Sequence, residues 1–370
     1  MEFTVAKTDL VRELSLSQGV VEKRTTIPIL SNVLIQAAAS EITLTTTDLE
    51  LAVRSSCPAQ VKKPGAGTIP AKRLLDYARL LPDSDIHVKV ADNYWTSLTC
   101  GRSRTRIAGM SQDSFPELPQ MTEVTAQIPA KALVDMITQT IFAISAEESR
   151  FTLNGALLTI KPDLLVLVAT DGHRLALVER PAESNVAAPV RALVPRKALQ
   201  EILKLFGESP EDARIEFGAT ENHLFFQLGK RLLLSRKLTG NFPDYERVLP
   251  KDHPHALTLS RDELRSTIER VSQFSDERTR AVKFKLAPGE LIIHSSLSET
   301  GESEETIPAG YDGSAQEIGF NAQYILEFLR VDPSNEVHFL FKDASNAGEL
   351  RPGGGDLNYN YRYIIMPMRI

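Results

Sequence analysis

Apolar residues fall at two spacings along this chain, and the two spacings alternate in the same order three times. Leu10, Val11 and Leu14 recur at helical spacing behind Phe3-Thr4-Val5. That pattern predicts a short strand and then a helix from about Lys7 to Gln18, with Thr8 or Asp9 as N-cap. Asn32 to Gln36 and Ile42 to Thr46 alternate or run apolar, as half-buried strands do. A second helix is expected from Ala71 to about Leu81, where Pro82 stops it. Strands near His87 to Val90, Trp95 to Cys100 and Arg104 to Ala108 complete this first stretch.

The order then recurs. The second stretch reads as helices Ala130 to Ile144 and Lys197 to Phe206, with strands Gly155 to Ile160, Leu164 to Ala169, Ile215 to Phe217, His223 to Gln227 and Leu232 to Leu238. The third reads as helices Arg261 to Phe274 and Ala322 to Leu329, with strands Val282 to Leu286, Leu291 to Ser296, Val337 to Leu340 and Tyr361 to Met366. Landmarks keep the same spacing. Ile69-Pro70-Ala71-Lys72-Arg73, Val194-Pro195-Arg196-Lys197-Ala198 and Phe320-Asn321-Ala322-Gln323-Tyr324 each lead from an apolar residue into an amphipathic helix, at a period of about 125 residues. Leu44 to Leu49 and Val166 to Gly172 each end a β-rich run in a Thr-Asp turn, and Leu291 to Ser296 is a weaker third copy. Solenoid units are only about 20–50 residues long, so this period means tandem domains. Pro-punctuated segments at Phe115 to Pro119 and Phe242 to Pro250 divide the chain into expected domains 1–121, 122–250 and 251–370. Each packs helices on mainly antiparallel sheet, an α+β layer architecture.

Composition narrows the class. The chain has 370 residues, 42% apolar and 24% charged, with formal net charge −6, the profile of an ordinary soluble protein. No apolar run approaches the roughly 20 residues that span a bilayer, and the acidic start Met1-Glu2-Phe3 is unlike a secretion signal, so a cytoplasmic location is expected. Cys57 and Cys100 stand alone and far apart, which indicates neither a disulfide framework nor a zinc site. The negative net charge leaves nucleic acid open as a partner, because what counts is whether Lys and Arg gather on one face.

Catalytic motifs do not emerge. The chain contains no GxSxG, Walker A, HExxH or GxGxxG pattern. Gly353-Gly354-Gly355 has no following Lys-Ser/Thr and reads as a hairpin tip. His173, between Asp171 and Arg174, is the one histidine set for acid–base work, which keeps open a nucleic-acid-processing enzyme. No Ser or Cys nucleophile travels with it. Asp48 and Asp171 recur at matching positions, which fits turn-forming Asx side chains better than metal ligands. No cofactor or metal is expected.

Three segments carry a resemblance: Thr170-Asp171-Gly172-His173-Arg174-Leu175-Ala176-Leu177, Asn241-Phe242-Pro243-Asp244-Tyr245-Glu246-Arg247-Val248-Leu249-Pro250, and the terminal Tyr363 to Ile370. With the threefold repeat, they make the whole chain similar to the β sliding clamps, the processivity subunits of bacterial DNA polymerase III. The resemblance implies a non-catalytic, head-to-tail homodimer closed into a six-domain ring around duplex DNA. A clamp built as a trimer of two-domain subunits is the rival, and three repeats per chain favour the dimer.

A sliding ring needs basic groups that meet phosphate without reading sequence. The matching helix starts supply Lys72 and Arg73, Arg196 and Lys197, then Gln323 and Tyr324; Arg24 and Arg150 resemble DNA-contact positions of the family. For Arg73 or Lys197 the alternative reading is a helix-capping surface charge. Well-known members carry two tyrosines after the Arg150 position, where this chain has Phe151 and Thr152.

The ring also needs a joint. Strand alternation puts Arg102, Arg104 and Arg106 on one face, while Glu299, Glu302, Glu304 and Glu305 make an acidic run in the third repeat. Basic and acidic edges of this kind can pair head to tail, with Phe274 as an apolar anchor; edge charges that oppose aggregation are the alternative.

Finally, the resemblance implies a peptide pocket of Leu153, Thr170, Gly172, His173, Arg174, Leu175, Pro243, Arg247, Val248, Ile365, Met366, Pro367, Met368 and Arg369. Its paired methionines make an adaptable groove, although they could equally complete a strand's core. The implied partners are the replicative polymerase alpha subunit, the clamp loader and other proteins of repair and translesion synthesis that carry a clamp-binding motif; no membrane is involved.

Overall fold

The computed structural model describes residues 1–21, 26–147, 149–297, 301–355 and 357–369. Its helices arise where apolar residues repeat every third or fourth position. They are α1 (Lys7–Ser17), α2 (Ala71–Leu80), α3 (Ala130–Thr140), α4 (Arg196–Phe206), α5 (Arg261–Val271) and α6 (Ala322–Val331). In α2 the buried residues are Ala71, Leu74, Leu75 and Ala78, a single stripe that leaves Lys72, Arg73 and Asp76 outside. Each buried leucine of such a stripe contributes about 1.5–3 kcal/mol.

Helix ends differ from the sequence expectation in places. Ala6 is the N-cap of α1 and makes no side-chain cap, so Thr8 and Asp9 lie in the first turn. Asn321 caps α6 by accepting from the backbone N–H groups of Gln323 and Tyr324. α3 and α5 stop before the expected ends and tighten into short 3₁₀ turns at Ile141–Ala143 and Ser272–Phe274.

Strands pair antiparallel throughout the described residues. By backbone contacts the chain forms two compact units: Met1–Val134 with Ser184–Val186 and Lys197–Lys237, and Asp135–Glu183 with Ala187–Arg196 and Leu238–Ile370. The first holds a five-stranded and an eight-stranded sheet. In the larger sheet the strand Arg231–Arg236 pairs with Leu51–Pro58, Leu234 opposite Ala52. The second unit holds an eight-stranded and a four-stranded sheet. There Arg174–Pro181 pairs with Asn360–Ile365, Leu175 opposite Ile364.

Both large sheets therefore run across the expected repeat boundaries. The strands that do this joining, Leu51–Pro58 and Arg174–Pro181, are absent from the sequence expectation. Each immediately follows a Thr-Asp turn and was legible only as the tail of that motif. Cys57 and Cys100 are buried free thiols, and burial pushes the Cys57 thiol up to about 12.

Candidate functional site

The second unit's pocket starts from one turn. Strand Leu164–Thr170 reverses into Arg174–Pro181. Asp171 Oδ1 accepts from the N–H groups of His173 at 2.9 Å and Arg174 at 3.1 Å, while Thr170 Oγ1 accepts from Gly172 N–H at 3.1 Å and donates to the Arg174 carbonyl at 2.6 Å. Gly172 takes φ 90°, the left-handed region that glycine enters without cost. The first repeat builds the same turn: Asp48 Oδ1 accepts from Glu50 N–H at 3.0 Å and Leu51 N–H at 2.7 Å. These are Asx turns. Asp171 Oδ2 also takes Arg174 Nε at 3.0 Å, so both carboxylate oxygens hold donors within the turn.

Arg174 points inward. Its side chain is only 8% exposed and bonds the Phe142 carbonyl at 2.6 Å as well as the Glu327 carboxylate. The guanidinium lies 4.2 Å from the Tyr324 ring centroid. Burial opposes its charge, but Tyr363 and Glu327 outweigh that and hold its pKa above the ordinary value. Arg174 thereby ties the turn to α6, and its contribution to the pocket is mainly to hold the wall.

Above this turn lies an apolar cavity of about 150 Å³. Val166, Val168, Leu175, Leu177 and Ile364 form the cluster beneath it, with Phe242, Tyr245 and Leu249 packed on top. Leu153, Thr170, Gly172 and His173 line one side, and Pro243, Val248 and Met366 the other. Met366 is 48% exposed and Val248 57%, which leaves apolar surface at the mouth for a ligand to cover. Met366 N–H donates to the His173 carbonyl at 2.9 Å, closing the rim.

Some expected residues stand elsewhere. Ile365 is 1% exposed and does not line the cavity; strand alternation turns it to the other face, and Ile364 takes its place. Arg247 pairs with Asp244 at 2.7 Å on the outside, while Asp244 and Tyr245, missed from the sequence, line the wall. Tyr245 was signalled by the aromatic in the Pro-flanked linker. Pro367, Met368 and Arg369 line a neighbouring recess of about 440 Å³ with Lys283 and Glu317, and Met366 borders both spaces.

Comparison with known proteins decides the family. Residues 1–119, 127–244 and 246–369 match the N-terminal, central and C-terminal domains of the DNA polymerase III beta subunit. The chain belongs to that family. Among its relatives, the beta sliding clamp of Pseudomonas putida is 35% identical over the full length of both chains. That of Chlamydia trachomatis is 31% identical, covering all of this chain and 87% of the relative. A Pseudomonas aeruginosa sliding clamp solved bound to griselimycin superposes with TM-score 0.94 at 32% identity, covering both chains fully. The Bacillus subtilis clamp gives 0.92 at 29% identity, covering all of this chain and 99% of the other. Three tandem clamp domains of α+β type are thus established.

The remaining clamp-like features lie on helix starts and sheet edges. Arg73 is exposed on α2, where Lys72 pairs with Asp76; Lys197 pairs with Asp48. Arg196 donates to the Ile144 carbonyl at 3.3 Å and Arg150 to the Asp171 carbonyl at 2.8 Å. Gln323 bridges Arg280 at 3.2 Å and Glu327 at 3.0 Å, and Tyr324 lies beneath Arg174. Arg24 lies outside the described residues, as does Glu299.

Strand Ser103–Ala108 is an edge of the five-stranded sheet, and Gly301–Pro308 an edge of the four-stranded one. Arg104 and Arg106 are exposed on alternate positions of the first, but Arg102 sits in the turn before it. Arg106 lies over the Trp95 ring at 5.0 Å. On the acidic edge Glu305 turns to Arg270 at 2.6 Å and Glu304 to Lys285 at 2.6 Å, while Glu302, 77% exposed, lies 3.7 Å from His294. Those partners hold both Glu304 and Glu305 below the usual carboxylate range. Phe274 is beside this strand's start, its ring 3.6 Å from where a Cβ on Gly301 would stand.

Proposed function

We propose that this chain is a DNA sliding clamp that pairs head to tail with a second copy, encircles duplex DNA, and tethers replication proteins through the second unit's apolar cavity. The observation that carries this reading is the cavity under Met366: apolar walls, an open mouth and a rigid turn suit a short hydrophobic peptide better than a reacting substrate. Its ligands are the replicative polymerase alpha subunit, the clamp loader and further repair and translesion proteins that carry the same kind of motif. The ring closes where the unpaired edge bearing Arg104 and Arg106 meets the edge bearing Glu302 and Glu304, with Phe274 as apolar anchor. Lys72, Arg73, Arg196 and Lys197 supply attraction to phosphate without sequence preference. Arg24, Arg150, Gln323 and Tyr324 are proposed to meet DNA as well. The chain works in the cytoplasm and as a tether, not as a catalyst.

Topological binding tests it. Loaded by its loader and ATP onto nicked circular DNA, the protein should stay bound until the circle is cut and then slide off the ends. Unchanged retention after linearisation would overturn the ring.

A further inference from the structure

The first unit contains a groove built on the same plan as the peptide cavity but with a different floor. In the second unit Val168 and Leu177 face each other across the ladder beneath the cavity. In the first, the paired positions counted from the matching Asx turn are Thr45 and Arg54. A Pro-containing linker crosses this sheet face too. Phe115 anchors it on Ile29, Leu30 and Leu34, and Leu118 anchors it on Ala52, Phe225 and Leu234. Between the two anchors a groove of about 610 Å³ opens onto Gln36, Thr45 and Arg54.

Arg54 is the distinguishing group. It is half-buried in the floor, and among the described residues its guanidinium makes no hydrogen bond, ion pair or ring contact. Arg231, part-buried on the same sheet, holds Glu13 at 3.0 Å, and the exposed Arg236 holds Glu50 at 2.9 Å. A planar fork of donors in this largely polar groove, with Leu34, Phe115 and Leu118 among its lining, is matched by a carboxylate, which it can grip with two parallel bonds.

We propose that this groove is a second docking site, for an extended peptide segment of a partner protein anchored by one acidic side chain on Arg54. Leu34, Phe115 and Leu118 receive an apolar neighbour of that anchor. Asp113 and Glu117 on the linker repel a polyanion such as nucleic acid and favour basic flanks around the single acid. The two grooves of one chain would then select different partners, hydrophobic motifs in one and acid-anchored motifs in the other.

A phage-displayed library of random decapeptides panned on the full-length protein tests this, with Met366→Ala and Arg54→Leu variants used to sort the binders. Leucine already occupies the equivalent floor position at Leu177, so Arg54→Leu keeps a residue that this sheet face accommodates; its thermal unfolding is measured alongside. The expected result is a class of peptides sharing one Asp or Glu beside an apolar residue. This class loses about tenfold or more in affinity with Arg54→Leu, the scale of one charge-assisted pair, and is indifferent to Met366→Ala. Recovery only of peptides that depend on Met366, of Arg54-dependent peptides without an acidic residue, or of none at all would overturn the proposal. So would binding of the same strength by a duplex oligonucleotide that is lost with Arg54→Leu.

Discussion

Leu49 occupies the turn position that Gly172 holds in the next repeat: φ is 79° at the leucine and 90° at the glycine. The hydrogen bonds around the two are alike, Thr47 Oγ1 accepting from Leu49 N–H at 3.0 Å and Thr170 Oγ1 from Gly172 N–H at 3.1 Å. Only glycine adopts this backbone freely, and an L side chain there costs about 1–2 kcal/mol. Leu49→Gly should therefore stabilise the first unit by roughly 1 kcal/mol, part of the relief being offset by the freer unfolded chain. Urea unfolding measures it; a lower midpoint would mean that the leucine's half-exposed side chain is worth more than the strain.

Arg174 sits between Asp171 and Glu327 with almost no solvent. Arg174→Ala leaves two carboxylates without their cation, and breaking such a buried cluster costs about 3–5 kcal/mol. Arg174→Lys keeps the charge but cannot serve both acids and the Phe142 carbonyl in one plane. An intermediate loss is expected for it in denaturant titration, with weakened peptide binding because the turn wall is no longer held.

Met366 forms the mouth of the cavity while its backbone only closes the rim. Met366→Ala should weaken a peptide from the C-terminal region of the organism's polymerase about tenfold, at the lower end of a hot-spot truncation, with unchanged self-association. Calorimetry and sedimentation read the two separately. His173→Ala should cost affinity alone.

At the proposed joint, Arg104→Glu with Arg106→Glu should weaken the dimer, and Glu302→Lys with Glu304→Lys in the same chain should partly restore it. Glu302 is expected to carry more of the rescue, because it is 77% exposed with His294 3.7 Å away, whereas Glu304 and Glu305 are each paired at 2.6 Å to Lys285 and Arg270 within their own chain. Sedimentation at nanomolar concentration decides; an unaltered dimer after the first pair of changes would put the joint at other edges.

Glu349 is fully buried and accepts from Arg351 Nε at 2.5 Å, Arg362 Nε at 2.6 Å and His253 Nε2 at 2.8 Å. Burial pushes its carboxyl up, but the bonds from Arg362 and Arg351 outweigh this and bring it below the ordinary 4.5. A depressed native pKa stabilises the fold fully above the ordinary value and loses that contribution as pH falls through the native one. Glu349→Gln should thus melt well below the parent near pH 7, and the gap should close below about pH 4.5. A gap that persists unchanged into acid would mean the glutamate acts by shape, not charge.

The helices were legible because their stripes are local. Leu74, Leu75 and Ala78 define the inner face of α2 without reference to any other part of the chain, and Pro82 ends it. The two Thr-Asp turns were equally plain, since an Asx side chain bonds its own neighbours. Periodicity also placed Arg104 and Arg106 correctly on alternate strand positions, yet it could not see that Arg102 stands one residue before the strand begins.

The sequence by itself determined three copies of one α+β unit and the Asx turns at Asp48 and Asp171. Tertiary structure alone decided that Leu51–Pro58 and Arg174–Pro181 carry sheets across repeat boundaries, that Ile364 and not Ile365 faces the cavity, and that Arg174 turns inward. The reason is physical. A strand's alternation states that it has two faces but not which partner completes its ladder. That choice is made by distant edges whose backbone groups must be satisfied together with the burial of both apolar faces.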